Sequence, residues 1–264
     1  MDTGKLICRL TNPLFGRLGL RVSRIDPDHD RIISQYAVPP AYAVSRLAWI
    51  AKALKFSPHA IVDVGASDGR WTTPALPLFP EARFLLVEPL DQHEAALKVL
   101  AQQERRITCF QGLVGRAAGT ARFMQRGYQS SLLGTHDGSA FGETREQPIF
   151  TLDEIIRRLS FPSPDIIKLD IEGSELDALR GAVEALRSAV LVQVEVNLIP
   201  FKKDLPLMDD LVGFMTEQGF RVLDVFGVHG RPLDGLPAQG ECFFMKKDSP
   251  LLTDLRWAEG AAWS

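Results

Sequence analysis

The sequence predicts an alternating α/β fold, a mainly parallel sheet covered by helices on both faces. Short runs of apolar, largely β-branched residues recur, at Ile61–Val64, Phe84–Val87, Ile166–Leu169 and Val190–Val196. That is the composition of strands buried on two sides. Segments with helical spacing of apolar residues separate them. The first run also ends in Gly65-Ala66-Ser67-Asp68-Gly69, a turn where the backbone can bend tightly and a ligand can approach closely. Strand, glycine turn and helix in that order open a nucleotide-binding α/β domain.

The totals exclude several classes. A net charge of -3 over 264 residues argues against a nucleic-acid binder that grips phosphates over a broad basic face. Cys8, Cys109 and Cys242 lie far apart and match no zinc or disulfide spacing, so a reducing cytoplasm is expected. The five histidines form no H-x-x-x-H pair. No apolar run is long enough to span a bilayer, and no secretory signal is found. The expected division is an N-terminal arm and helix over residues 1–56, a main domain over 57–250 and a tail over 251–264.

In chain order, residues 1–24 interleave Lys5, Arg9, Arg17, Arg21 and Arg24 with Leu6, Ile7, Leu10, Leu14 and Phe15. Such a segment suits an arm packed on the domain, or peripheral contact with an anionic membrane. Tyr42 to Phe56 has one apolar helical face. Beyond the turn, Arg70 to Phe79 reads as a short helix made irregular by Pro74 and Pro77. Phe84 to Glu88 is the second strand, Gln92 to Gln103 a helix, and Arg106 to Gln111 the third strand. Thr120 to Gln125 alternates like a strand, whereas 127–147 is polar and glycine-rich with no period, as in a lid or binding loop. Ser130, Ser131 and His136 lie in it.

Thr151 with Glu154 forms a capping box, which leaves Asp153 and Glu154 without need of a catalytic role. Asp165 to Asp170 is a strand that turns at Gly173, with a helix expected to be capped by Ser174 and Asp177. Val190 to Asn197 is a fifth strand. The loop from Pro200 to Pro206 carries Lys202 and Lys203 and is placed to cover a substrate. Met208 to Gln218 is a helix, and Phe220–Phe226 with Glu241–Lys246 should pair antiparallel at a sheet edge.

The glycine spacing is not the dinucleotide pattern G-x-G-x-x-G, and the turn brings Asp63 and Asp68. A pyrophosphate would meet negative charge there, whereas a cation would be attracted. The nucleotide-like cofactor with a cationic head and no phosphate is S-adenosylmethionine. Its expected site is Asp63, Gly65, Ala66, Ser67, Asp68 and Gly69. Glu88, at the end of the second strand, is placed to accept both ribose hydroxyls, and Gln111-Gly112 to hold an adenine edge.

Val62-Asp63-Val64-Gly65-Ala66, Val87-Glu88-Pro89, Thr151-Leu152-Asp153 and Ile167-Lys168-Leu169-Asp170-Ile171-Glu172-Gly173-Ser174-Glu175-Leu176 together resemble the FkbM family of S-adenosylmethionine-dependent methyltransferases. The resemblance covers roughly residues 60 to 226. It implies a class I methyltransferase fold, Rossmann-like, with a seven-stranded mostly parallel sheet and an antiparallel edge strand. It also implies O-methylation of sugars, glycolipids, polysaccharides or secondary metabolites, with Asp63, Gly65 and Glu88 as cofactor residues. Ser67 and Leu90-Asp91 depart from the usual family residues.

Methyl transfer to an alcohol requires an aligned nucleophile and a proton acceptor. Asp170 or Glu172 is the expected base or substrate anchor, with Lys168 tuning the charge and Glu195 in reserve. A divalent metal on these carboxylates is compatible with the spacing but not demanded by it. The alternatives are a non-catalytic binding module on the same fold and a nicotinamide-dependent oxidoreductase. A nucleic-acid methyltransferase is disfavoured, because Asp170-Ile171-Glu172-Gly173 is not a proline-aromatic base-flipping motif.

Overall fold

The computed structural model describes residues 40–125 and 143–251. The chain forms two compact units, Met1–Ala37 with His229–Pro237, and Val38–Val228 with Ala238–Ser264. The described part of the first is a tight turn, in which Asp234 Oδ2 pairs with Arg231 Nη2 at 2.6 Å and Oδ1 accepts from Leu236 N at 3.0 Å. The expected roles of residues 1–24, Ser130, Ser131 and His136 lie outside the described residues, as does the tail beyond Leu251.

Helix α1 (Pro40–Ala53) starts on a proline, whose missing N–H and fixed φ suit a first helical position. Strand β1 (Ala60–Val64), helix α2 (Thr72–Ala75), strand β2 (Arg83–Glu88), helix α3 (Asp91–Gln103) and strand β3 (Ile107–Gln111) follow. A lateral group comes next: β4 (Leu113–Val114), β5 (Gly119–Gln125) and β6 (Glu143–Phe150). The chain then alternates again through α4 (Leu152–Arg158), β7 (Ile166–Leu169), α5 (Glu175–Arg180), α6 (Val183–Ser188), β8 (Leu191–Asn197) and α7 (Met208–Glu217). It closes with β9 (Phe220–Gly230) and β10 (Pro237–Lys246).

The main sheet has seven strands in the order β3-β2-β1-β7-β8-β10-β9. Its first five strands pair in parallel, and β10 runs antiparallel to β8. This is the class I methyltransferase architecture. Period-two alternation splits the strand residues between two apolar layers. Val62, Val64, Leu85, Ile167 and Val194 meet α4 to α7, while Ile61, Phe84, Ile166, Leu191 and Phe243 meet Val44, Leu47 and Ile50 of α1. Each fully buried aliphatic side chain contributes roughly 2 kcal/mol of burial.

Two local expectations are corrected. Glu143–Gln147 is not loop but the start of β6, which pairs antiparallel with β5 from Gly119↔Ile149 to Gln125↔Glu143. Its residues are polar and carry no period, so the partner strand defines it and not its own pattern. Ser174 makes no side-chain cap at α5. Instead Glu175 turns back, and its Oε1 accepts from the backbone N–H groups of Ile171 and Gly173 at 2.9 and 3.2 Å, while Asp177 pairs with Arg180. At α4, Thr151 Oγ1 does accept from Glu154 N at 3.1 Å, and Asp153 caps α6 through Glu184 N and Ala185 N.

The polar row that builds the site follows from the same alternation. Asp63, Lys168 and Gln193 are register partners across β1, β7 and β8, on the face that carries α1. Two residues further toward the carboxyl ends, that row continues as Asp170, Glu195 and Glu241.

Candidate active site

The turn after β1 is shaped by what glycine permits. Gly65 has φ of +78°, and a Cβ there would fall 2.0 Å from the Asp170 carbonyl oxygen. Gly65 N and Ala66 N donate to the Val87 carbonyl at 2.9 and 3.1 Å, which ties the turn to β2. Gly69, at φ +84°, closes it by donating to Ala66 O. Ser67 also adopts a left-handed backbone, φ +52°, which costs a non-glycine residue about 1 kcal/mol. That geometry aims its N–H at Glu88.

Glu88 is 6% exposed. Oε2 accepts from Ser67 N at 2.8 Å and Oε1 from Leu90 N at 3.0 Å. Burial raises its pKa, and those two backbone donors oppose the rise. Each oxygen has a second lone pair, so the oriented carboxylate can still accept from a vicinal pair of hydroxyls.

The bare acidic bend expected from the sequence is corrected by the ion pairs. Asp63 is fully buried; Oδ2 accepts from Thr72 Oγ1 at 2.8 Å, and Oδ1 lies 3.0 Å from Lys168 Nζ. Asp68 is clamped by Arg70, with both Nε–Oδ1 and Nη2–Oδ2 at 2.8 Å, a hydrogen-bonded pair that lowers its pKa. The reason differs at each site. A buried carboxylate must be paired or neutral, and an exposed one found a neighbour two residues along. The turn therefore presents backbone groups and Glu88 more than unpaired negative charge.

Lys168 is 3% exposed and joins the turn to β7. Nζ donates to Gly65 O at 3.1 Å, pairs with Asp63 and lies 3.6 Å from Asp170. Burial works against its charge, but the attraction of Asp63 and Asp170 outweighs it, so its pKa stays above the ordinary lysine value.

His93 was missed by the sequence analysis. It is 8% exposed on α3, with Nε2 3.4 Å from Ser67 Oγ and 3.2 Å from Gln92 Nε2. Burial lowers its pKa. Its signal was present, since it stands four residues before buried Leu97 on the same helical face. Gln111 lies exposed at the end of β3, where Nε2 donates to Asp91 Oδ1 at 2.6 Å. Gly112 leaves room for the rings of Phe110 and Phe150, each of which a Cβ would meet at 2.9 Å.

At the carboxyl ends of β7 and β8 carboxylates accumulate. Glu172 takes a left-handed backbone, φ +58°, and Oε2 pairs with Lys202 at 2.9 Å. Burial raises its pKa and Lys202 counters. Burial pushes both Glu175 and Glu241 up to about 7, in each case against hydrogen bonds that favour the charged form. Burial, then the charges of Asp170, Glu172, Glu175 and Glu241, raise Glu195 well above the ordinary glutamate value. Among the described residues no group of three histidine, cysteine, aspartate or glutamate side chains is placed to hold a metal ion.

The methyltransferase FkbM domain matches residues 63–222. The chain belongs to the FkbM methyltransferase family. Within that family match lie Asp63, Glu88, Lys168, Asp170, Glu172 and Glu195, whereas Glu241 lies beyond it. A curated relative, the hexuronic acid methyltransferase AglP of Haloferax volcanii, is 36% identical over 72 residues, 27% of this chain and 30% of AglP. The FkbM chain thus matches less than a third of AglP's length. Among solved structures, a precorrin-6y C5,15-methyltransferase from Geobacter metallireducens is 13% identical, with TM-score 0.44, covering 78% of this chain and 87% of that one. The N-terminal domain of EvdMO1, in the presence of SAH and D-fucose, is 9% identical, with TM-score 0.45, covering 79% and 82%. No helix among the described residues is long and apolar enough to cross a membrane.

Proposed function

We propose that this FkbM protein is an S-adenosylmethionine-dependent O-methyltransferase whose acceptor is a hydroxyl of a sugar, a sugar-bearing lipid or polymer, or a secondary metabolite. The observation that carries this reading is Glu88, a buried carboxylate oriented by two backbone donors beside a turn that only glycine can make at residue 65. The fit to the methyl donor is chemical. Two carboxylate oxygens with free lone pairs suit a ribose diol, and the close backbone approach at Gly65–Ser67 suits an adenosine lacking phosphates. Gln111 and His93 stand at the ends of that cradle.

The bound donor supplies a methyl carbon activated on a sulfonium. The residues of this chain do the rest. Glu88 fixes the adenosine, and Lys168 holds the turn against the carboxyl end of β7. There the carboxylates of β7, β8 and β10 orient the acceptor hydroxyl and receive its proton. Holding the reacting atoms in line supplies much of the rate. The partial match to AglP supports a carbohydrate as the acceptor class.

The test is incubation of the full chain with methyl-labelled S-adenosylmethionine and an extract of the producing cells, followed by mass spectrometry. Label in glycan or glycolipid hydroxyls is expected. A chain that binds S-adenosylhomocysteine but labels nothing would instead support a binding module.

A further inference from the structure

We propose that Glu195, set opposite Glu241 across the β8–β10 ladder, takes the proton from the acceptor hydroxyl, with Glu241 as its positioning residue. The inference rests on the methyltransferase reading above. Glu241 and Glu195 are direct register partners in an antiparallel pair. Their side chains therefore leave the same face of the sheet, with Cβ atoms about 5 Å apart. Two carboxylates so placed and so poorly solvated cannot both stay ionised, and they behave as one group sharing one proton. Consistent with this, Glu195 Oε2 is buried and meets no N–H or hydroxyl donor. The donor it lacks can be a carboxyl proton.

Glu241 is anchored from the donor side. Its Oε2 accepts from Gln193 Nε2 at 3.0 Å, and Gln193 Oε1 accepts from Trp71 Nε1 at 3.2 Å. Trp71 follows the glycine turn directly, so the loop that shapes the donor site also fixes the partner of Glu195.

The neighbouring acids are committed elsewhere. Asp170 lies 3.6 Å from the Lys168 ammonium, and its side chain is 44% exposed. Glu172 is bound to Lys202, and Glu175 accepts two backbone N–H groups. At Glu172 the Lys202 ammonium opposes the rise that burial causes. Among these acids Glu195 Oε2 is the buried oxygen that meets no hydrogen-bond partner, and around it stand Asp170, Glu172, Glu175 and Glu241 as acids, with Lys168 and Lys202 the cations beyond them.

In the step itself the acceptor O–H bond breaks and its proton moves to the Glu195 carboxylate. The oxygen forms the new bond to the methyl carbon as the carbon–sulfur bond breaks, and that electron pair stays on sulfur. One sulfonium charge and one carboxylate charge vanish together, so the balance closes without another reactant. The pair returns its proton to solvent as product leaves.

Two measurements on the full chain test this. In the first, methyl transfer to the extract and S-adenosylhomocysteine affinity are compared across variants. Glu195→Gln should lower kcat about 1,000-fold with affinity held within about twofold. Glu241→Gln should lower kcat, though less than Glu195→Gln does, and move the acid limb of the pH–rate profile about one pH unit higher, because the shared proton that stabilises the singly ionised pair is lost. A Glu195→Gln enzyme retaining a tenth or more of kcat overturns the assignment while leaving the methyltransferase reading intact. A wild-type chain that binds no S-adenosylhomocysteine overturns that reading instead. The second needs no acceptor and covers a variant that fails to fold: carbon-13 NMR of glutamate-labelled wild type and Glu241→Gln. One carboxyl of the pair should remain protonated near pH 7 and titrate lower in the variant; ordinary titration of both near pH 4.5 in wild type contradicts a shared proton.

Discussion

The two ends of the candidate site are built on opposite principles. At the donor end every charge is matched. Asp63 has Lys168, Asp68 has Arg70, and Glu88 has two backbone donors. At the acceptor end Asp170, Glu172, Glu175, Glu195 and Glu241 crowd together, with Lys168 and Lys202 as their cations. A matched end holds its carboxylates in fixed pairs. An end with more buried acids than cations favours the protonated forms of Glu175, Glu195 and Glu241, which is useful where a proton must be accepted and passed on. Lys168 belongs to both ends, and the contrast between them can be broken there first.

Lys168→Met should be the most damaging change, because it leaves fully buried Asp63 without a counter-ion. A loss of about 4 kcal/mol is expected, read as the urea midpoint. Gly65→Ala comes next, at about 3 kcal/mol, since its Cβ would collide with the Asp170 carbonyl from a positive-φ position. Glu88→Ala should leave folding nearly intact but weaken S-adenosylhomocysteine binding at least about tenfold, or 1.4 kcal/mol, by calorimetry.

The acceptor end also predicts a pH dependence of stability. Glu175 and Glu241 are pushed up to about 7 in the fold from an ordinary 4.5. A raised acid means that the folded state holds more protons than the unfolded chain between those values. Their contribution is therefore full below about 4.5, declines as pH rises and is gone above about 7. Unfolding midpoints should fall across that window, and Glu241→Gln should flatten the fall. The smallest effect belongs to Asp68→Asn. This exposed pair with Arg70 should cost under about 0.5 kcal/mol and move donor affinity by less than about threefold. A larger loss of affinity would restore the idea of an acidic turn that selects a cation.

The sheet was legible because its central strands are mostly apolar and β-branched, interrupted only by single polar residues such as Asp63, Lys168 and Gln193. The glycine turn was legible too, since residues 65 and 69 take positive φ. Glu88 stood where the alternation of strand and helix places a carboxylate. What could not be read was pairing. Nothing local says that Asp63 spends itself on Lys168, 105 positions away, or that Glu175 folds back on Ile171 and Gly173. Glu241 was invisible for the same reason: its importance comes from the register that sets it against Glu195. The start of strand β6 was missed because Glu143–Gln147 is polar and has no period of its own, although the strand is paired on both sides.

The most direct measurement is a calorimetric titration of the folded chain with S-adenosylhomocysteine, and separately with NADH. The account predicts one S-adenosylhomocysteine site that Glu88→Ala weakens and no heat from NADH. Silence toward S-adenosylhomocysteine from well-folded protein, or saturable binding of NADH, would contradict it.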